Sequence, residues 1–245
     1  MILVIDCGNT RLKWGLYHAG RWQRMGALPV TELTRLERDW NKLKPVRRVM
    51  VANVAGPGVR RRLGSILSGL SLSPVWIEPK LRQCGVRNGY RNPMQLGPDR
   101  WAALIGARAL RGGACLVVMA GTATTADILE ADGGFAGGII LPGLELMKRS
   151  LARNTAALAH AKGRFSARPG STADAIETGC LLAQAGVIER MHASLRPGAE
   201  CVISGGAAAR IVAHLRIPVQ QVDNLVLEGL IRIALEPEER KADPA

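Results

Sequence analysis

Two short segments of the chain pair an apolar run with a small-residue turn of the kind that binds phosphate. Residues 3–10 read Leu-Val-Ile-Asp-Cys-Gly-Asn-Thr, and residues 116–123 read Leu-Val-Val-Met-Ala-Gly-Thr-Ala. Gly8 and Gly121 have no Cβ to block the approach of a phosphate to backbone N–H groups. Either copy alone is also typical of a simple β-hairpin. Their repetition favours an internal duplication, with two phosphate-binding loops that face one cleft.

The side chains around these loops suggest how a nucleotide would be held. Hydroxyl and amide donors lie at Asn9, Thr10, Thr122 and Thr124. Lys13 can neutralise phosphate charge, whereas the carboxylate of Asp6 suits an Mg²⁺ ion, bound directly or through water. The second copy has Met119 where the first has Asp6. Neither loop matches the P-loop or the dinucleotide-binding fingerprint.

Composition indicates a globular protein of one large domain or two modest ones. The 245 residues are 47% hydrophobic and only 4% aromatic, so aliphatic side chains must fill the core. No apolar run approaches the ~18 residues of a membrane span. Asp6 interrupts the first apolar run, so we expect no secretory signal peptide. Five scattered cysteines and four histidines without ligand spacing predict neither disulfides nor a zinc site, and favour a cytoplasmic location.

The net charge of +13 raises the question of nucleic-acid binding. The basic residues are dispersed, largely at helical spacing, where a solvated face is the ordinary explanation. Aromatic residues are too few for a stacking platform. A general affinity for anions is the safer interpretation, and the sequence disfavours both nucleic acid and membrane as partners.

Hydrophobic periodicity predicts the same order of elements in both halves. In the first half we expect a hairpin over residues 2–6 and 12–17, a third strand from Trp22, and further elements as follows: helix 33–43, strand 49–54, a turn at 56–58, helix 59–70, strand 74–77, an irregular segment 85–96 and a helix from Pro98 to Gly112. In the second half we expect strands 114–120, 124–129 and 135–141, helix 142–158, loop 163–170, helix 171–195, strand 201–203, helix 207–215, an edge strand 219–222, helix 224–234 and a frayed tail 236–245.

These elements predict an α/β protein of two mixed domains with one topology, joined near residue 112. The cleft between the domains would receive the turns at Gly8, Gly121 and Gly205. In the long helix that begins at Ser171, the residues expected to face inward are Ile176, Cys180, Ala183, Val187 and Met191.

Five motifs in order along nearly the whole chain resemble the type III pantothenate kinases, some members of which are described as Bvg accessory factors. The motifs are Asp6-Cys7-Gly8-Asn9-Thr10, Gly97-Pro98-Asp99-Arg100, Gly121-Thr122-Ala123-Thr124-Thr125, Ser171-Thr172-Ala173-Asp174-Ala175-Ile176 and Ser204-Gly205-Gly206. The resemblance implies two duplicated ribonuclease-H-like (actin-like ATPase) domains, over residues 1–112 and 113–245. It also implies a homodimer that phosphorylates pantothenate with ATP and Mg²⁺, the first step of coenzyme A synthesis.

The resemblance assigns a role to each motif. The nucleotide and its Mg²⁺ would be held by Asp6, Cys7, Gly8, Asn9, Thr10, Arg11, Leu12 and Lys13, with Thr122 also contacting ATP. Pantothenate would be bound by Tyr90, Gly97, Pro98, Asp99 and Arg100, with Thr172 from the partner subunit. Asp99 would be the general base. Relatives usually carry Asp at the position of Met119, where it helps to hold K⁺ or NH4⁺; this monovalent cation site is expected to be weak or absent here.

Each of these residues also has a simpler structural explanation. The helix dipole alone favours Asp99 in a first turn, and Thr172 has the type and position of a helix N-cap. Tyr90 would serve as a loop anchor on Trp101, and Arg100 as half of a surface ion pair. Two other functions stay open, a nucleic-acid-binding transcriptional accessory factor and an actin-fold ATPase with another acceptor.

Overall fold

The computed structural model describes residues 1–40, 45–155 and 162–237. The ends of two predicted helices, at Leu43 and Leu158, lie outside the described residues, as does the predicted tail beyond residue 237. The strands are β1 (Ile2–Cys7), β2 (Arg11–His18), β3 (Arg21–Pro29), β4 (Arg48–Asn53), β5 (Pro74–Trp76), β6 (Arg82–Gln83), β7 (Val86–Asn88), β8 (Cys115–Ala120), β9 (Ala123–Leu129), β10 (Gly134–Pro142), β11 (Glu200–Ser204) and β12 (Val219–Gln221). The α-helices are α1 (Arg35–Trp40), α2 (Gly56–Gly69), α3 (Pro98–Leu110), α4 (Leu144–Asn154), α5 (Thr172–His192), α6 (Ala208–Val212) and α7 (Leu225–Leu235).

The strands form two sheets that repeat one topology. The first sheet has the order β3-β2-β1-β4-β5, and the second has the order β12-β11-β8-β9-β10-β7-β6. In each sheet an antiparallel three-strand meander is extended by two parallel strands, so β1 corresponds to β8 and β4 to β11. This correspondence confirms the predicted duplication.

The division between the two sheets does not fall at residue 112 of the sequence. Strands β6 and β7 precede that residue, yet β7 pairs in parallel with β10 and lies in the second sheet. Helices α3 and α7 share one core cluster with the facing sides of both sheets. The two helices approach so closely at Gly229 that a Cβ there would lie 1.8 Å from the carbonyl oxygen of Ala102.

Several element boundaries differ from those expected from the sequence. The predicted turn at residues 56–58 is the first turn of α2, since Pro57 is compatible with a helix start. The segment 85–96 is not wholly irregular, because it contains β7 and a 3-10 turn over Pro93–Gln95. A strand of three residues is too short to show a periodic pattern. Glu236 is not frayed, since its carboxylate accepts a hydrogen bond from the backbone N–H of Cys84 at 2.6 Å.

Among the described residues, a small cluster of Leu144, Cys180 and Leu181 lies between α4 and α5, and two larger clusters pack against the outer faces of the sheets. One lies between the first sheet and α1 and α2, and the other between the second sheet and α5 and α6. Across the described ranges, no helix combines the length and the apolar content that a membrane span needs.

Candidate active site

The two phosphate-loop candidates meet at the junction of the repeats. Each loop closes just after a central strand, with Gly8 N–H donating to Arg11 O at 3.1 Å and Gly121 N–H donating to Ala123 O at 3.0 Å. The side-chain hydroxyl oxygens of Thr10 and Thr122 lie 2.8 Å apart. The chain therefore brings both loops to one place, as the repetition in the sequence predicts.

The turn at Gly205 lies against the second loop. Gly205 has φ +111°, a conformation that favours glycine, and a Cβ there would lie 2.3 Å from the carbonyl oxygen of Ala120. The same carbonyl oxygen accepts a hydrogen bond from Ala207 N–H at 3.1 Å. The third predicted turn thus reaches the same end of the second sheet as Gly121.

Within the first loop, not every residue of the motif can use its side chain. Cys7 and Leu12 are fully buried in the core cluster under α1 and α2, so only their backbone groups can face a ligand. Burial raises the pKa of the Cys7 thiol to about 12, which excludes thiolate chemistry at neutral pH. Asn9, Thr10 and Arg11 are exposed and available.

Asp6 lies on the face of β1 that points toward α3 and the second repeat. Its register partner on β2 is Lys13. Burial raises the pKa of Asp6 to about 7; the charge of Asp99 adds to this rise and the charge of Lys13 opposes it. The carboxyl groups of Asp6 and Asp99 are therefore electrostatic neighbours, although 93 residues separate them along the chain.

Asp99 lies in the first turn of α3, which begins at Pro98 with Gly97 at the N-cap position. Its Oδ1 accepts a hydrogen bond from the backbone N–H of Arg100 at 2.8 Å. A Cβ at residue 97 would lie 2.6 Å from that oxygen, so the glycine leaves room for the carboxylate. Burial raises the pKa of Asp99, although its hydrogen bond from Arg100 and the guanidinium charge oppose the rise.

Arg100 is not the surface residue that a simple ion pair would require. It is 5% exposed and forms an ion pair with Asp127 on β9, which is fully buried. Burial by itself would lower the pKa of Arg100. The hydrogen bonds from Arg100 to Asp127 and the charge of that carboxylate outweigh this effect and raise the pKa. Its Nη1 donates to the hydroxyl oxygen of Tyr90 at 3.1 Å.

Tyr90 is anchored differently from the sequence-based alternative. The expected partner is Trp101, whereas the ring contact that the structure shows is with Phe135, with ring centroids 5.0 Å apart. Its backbone N–H donates to Oδ1 of Asn88 at 3.1 Å, which ties the residue to the end of β7. Tyr90, Asp99 and Arg100 thus form one side of the candidate site.

Thr172 is the one predicted site residue that no described contact connects to the cleft. It is exposed at the first position of α5, and Ser171 is the N-cap, accepting a hydrogen bond from Asp174 N–H at 3.2 Å. The N-cap explanation therefore applies to Ser171 rather than to Thr172. On the same helix the expectation for Ala183 is wrong, because Ala183 is exposed while Leu181, Gln184 and Ala185 are buried.

Sequence reasoning missed Asp127. A detectable signal was present, because Asp127 is a lone carboxylate within an otherwise uncharged strand and its burial requires a partner. Periodicity alone could not show that the partner is Arg100, which lies 27 residues away.

The arrangement fits a nucleotide-bound Mg²⁺ ion better than an independent metal centre. In the part of the chain that the structure describes, no three His, Cys, Asp or Glu side chains gather into a group able to hold a metal. Asp6 offers one carboxylate beside hydroxyl-bearing loops. Because Mg²⁺ is commonly held by one or two carboxylates together with phosphate oxygens and water, Asp6 and these loops would fit an Mg²⁺ ion carried by a nucleotide.

Comparison with known proteins places the chain among small-molecule kinases. The family model described as type III pantothenate kinase matches residues 2–194. A type III pantothenate kinase from Aromatoleum aromaticum is 52% identical over 238 residues, covering 96% of this chain and 98% of the relative.

Solved structures show the same fold at low identity. A Campylobacter jejuni protein described as a Baf family transcriptional activator has a TM-score of 0.64 at 19% identity, covering 94% of this chain and 96% of that chain. MreB 5 of Spiroplasma citri, bound to AMPPNP, has a TM-score of 0.50 at 9% identity, covering 93% of this chain and 94% of that chain. Together with the duplicated sheets, these likenesses confirm the predicted α/β fold of two duplicated ribonuclease-H-like, actin-like ATPase units.

Proposed function

Because the chain belongs to the type III pantothenate kinase family, we propose that it phosphorylates pantothenate with ATP, the first step of coenzyme A synthesis. The observation that supports this proposal most is the convergence of Asp6, Asp99 and the two loops at the junction of the repeats. Phosphoryl transfer depends mainly on positioning and charge neutralisation, and these groups can supply both.

In the proposed reaction both repeats contribute groups to the site. Backbone N–H groups of the loops at Gly8 and Gly121 would hold the phosphates, with Lys13 as a neutralising charge. Asp6 would hold the Mg²⁺ ion that accompanies ATP and offsets the phosphate charge. Asp99 would accept the proton of the attacking hydroxyl, and its raised pKa moves its basicity toward the working pH. Tyr90 and Arg100 would orient the acceptor.

The test is ADP formation with MgATP and a panel of acceptors. We expect ADP to form only when pantothenate is present, and not with other small alcohols or with DNA. ADP formation without any acceptor, or with a different alcohol, would point instead to an actin-fold ATPase with another substrate. Binding of DNA at physiological salt without any turnover would favour the accessory-factor alternative.

The monovalent cation site gives a prediction specific to this chain. The family resemblance implies an ion-binding Asp at the position of Met119, and a thioether is a poor ligand for a hard cation. We therefore expect similar initial rates in potassium, ammonium and sodium at equal ionic strength. Strong activation by potassium or ammonium alone would contradict this expectation and would assign the ion to carbonyl oxygens.

Met119→Asp is expected to create potassium dependence. In register with Met119 are Thr125 on β9 and Ser204 on β11, so two hydroxyl-bearing residues flank an introduced carboxylate. The measurement is the ratio of rates in potassium and in sodium, which should rise in the variant and stay near one in the wild type. A conservative control is Met119→Leu, which adds no oxygen ligand and should leave the ratio unchanged.

We also propose that the active protein is a homodimer in which Thr172 completes the partner's pantothenate pocket. The face of α5 that carries Gly179, Leu182 and Ala183 is exposed, and Leu182 is 53% exposed. Such a face is available for packing against a second copy of the helix. Thr172 begins the helix that carries this face and is itself exposed, so a second copy packed on the face could reach it.

Mixing two inactive variants tests the shared site. In a dimer of one Asp99→Asn chain and one Thr172→Val chain, one pocket carries both changes and the other carries neither. After complete exchange at equal amounts, about a quarter of the wild-type activity should return, because half of the dimers are mixed and each has one intact pocket. If chain exchange is demonstrated and no activity returns, Thr172 does not act across the interface.

A further inference from the structure

A buried ion pair links the two repeats beside the proposed base. The carboxylate of Asp127 accepts hydrogen bonds from Nε of Arg100 at 3.1 Å and from Nη2 of the same guanidinium. Asp127 is 0% exposed and Arg100 is 5% exposed. Because taking two charges out of water commonly costs as much as their attraction returns, stability alone does not account for this pair.

The pair holds the guanidinium in one orientation. Besides its bonds to Asp127, Arg100 donates from Nη1 to Tyr90, and its guanidinium carbon lies 5.7 Å from the ring centroid of Tyr90 and 5.8 Å from that of Phe135. An arginine has five N–H donors in a rigid plane. The three hydrogen bonds to Asp127 and Tyr90 leave two N–H groups of Arg100 for another ligand. Because the guanidinium is planar and rigid, these three bonds also fix the directions of the two remaining N–H groups.

We infer that Asp127 is a positioning residue for the acceptor site and acts through Arg100. This inference rests on the proposed function and deepens it. Arg100 directly follows the proposed base Asp99 on α3, while Asp127 lies on β9, which follows the loop of Gly121 and Thr122. The ion pair therefore connects α3 with β9. The first turn of α3 would bind the acceptor, and β9 begins directly after the second nucleotide loop.

A double-mutant cycle on pantothenate kinase activity tests the inference. Asp127→Asn keeps the side-chain shape but removes the charge that orients Arg100. We expect it to raise the KM for pantothenate by about tenfold or more, the loss typical of a misplaced hydrogen bond to a charged group, while the KM for ATP stays within about twofold. A purely structural role would lower the folded fraction and the unfolding temperature without this split.

The second arm asks whether Asp127 acts through Arg100. With Arg100→Gln already present, adding Asp127→Asn should change the pantothenate KM by no more than about twofold, because the two side chains work as one unit. This arm also remains informative if Asp127→Asn alone does not fold, since the double variant buries no unpaired charge. If the two substitutions raise the pantothenate KM independently, so that their effects multiply in the double variant, the inference is wrong. An unchanged pantothenate KM in the Asp127→Asn variant would also overturn it.

A control variant breaks another ion pair between α3 and the second sheet, at the opposite end of the helix. Arg111, just after α3, pairs with Glu200 on β11 at 2.8 Å, remote from the proposed base. Glu200→Gln should leave the KM values for both substrates unchanged. Failure of the wild-type protein to phosphorylate pantothenate would reject the proposed function itself, whereas an active wild type with an unaffected Asp127→Asn variant would reject only the role of Asp127.

Discussion

Asp99→Asn is expected to keep the fold and ATP binding but to lose turnover by about 10²- to 10⁴-fold, the usual contribution of a general base. The substitution is isosteric and leaves an oxygen that can still accept the backbone hydrogen bond from Arg100. It removes only the proton acceptor. Because the transition state of phosphoryl transfer is loose, the loss should lie toward the lower end of this range.

The measurement is kcat with saturating pantothenate and MgATP, together with ATP binding in the absence of pantothenate. Asp132→Asn is a suitable control, because Asp132 is an exposed turn residue paired with Arg87 at 3.0 Å, outside the proposed site. The control should retain turnover within about twofold. If Asp99→Asn retains turnover within about tenfold of the wild type, Asp99 is not the general base.

Asp6→Asn is expected to raise the Mg²⁺ concentration needed for activity by about 10- to 100-fold, a typical loss for a residue that holds a metal directly or through water. Pantothenate binding should not change. The measurement is a Mg²⁺ titration at fixed ATP, with pantothenate binding measured separately. An unchanged Mg²⁺ requirement would reject the metal-binding role of Asp6.

The raised pKa of Asp6 adds a pH dependence whose sign can be worked out. The pKa is about 7 in the folded protein against 3.8 for an ordinary Asp. Between these values the unfolded chain is ionised while the folded chain holds the proton, so stability falls as the pH rises through this window. In the absence of MgATP, Asp6→Asn should therefore unfold at a higher temperature than the wild type at about pH 8, and at a similar temperature near pH 4.

The same ionisation should appear in metal use. In the proposed reaction Mg²⁺ binds the ionised carboxylate of Asp6, so the wild type should need more Mg²⁺ as the pH falls below about 7. The Asp6→Asn variant has no group to ionise at this position, so its Mg²⁺ requirement should not show that dependence. A parallel change in both proteins would assign the effect to another group.

Much of the fold could be predicted because the two repeats carry local signals. The β1–β2 and β8–β9 hairpins have apolar runs that break at Gly8 and Gly121, and α3 begins at Pro98, directly after Gly97. Such signals depend on a few neighbouring residues, and a long, periodic element shows them clearly.

The features that could not be predicted depend on distant partners. Strand β7 depends on its pairing with β10 on one side and β6 on the other, and three residues carry no period of their own. Ala183 on α5 has the spacing of a buried residue, yet the buried face is rotated so that Leu181, Gln184 and Ala185 point inward. Sequence spacing gives the width of an apolar stripe but not which part of it a neighbouring element covers.

The candidate site divides in the same way. The motif residues Asp6, Asp99 and Thr122 could be named from the sequence, whereas the burial of Arg100 against Asp127 could not. That pair joins α3 to β9 and exists only in the folded molecule. The raised pKa of Asp6 likewise comes mainly from burial, with a smaller contribution from the charge of Asp99, and both exist only in the folded molecule.

We propose that the junction of the two repeats transfers the terminal phosphoryl group of ATP to pantothenate. ATP labelled with ¹⁸O in that group, with mass analysis of both products after incubation with pantothenate, follows the transferred group itself. We expect labelled 4'-phosphopantothenate together with unlabelled ADP, and loss of the labelled product in Asp99→Asn. Labelled inorganic phosphate with no phosphorylated pantothenate would rule out this transfer.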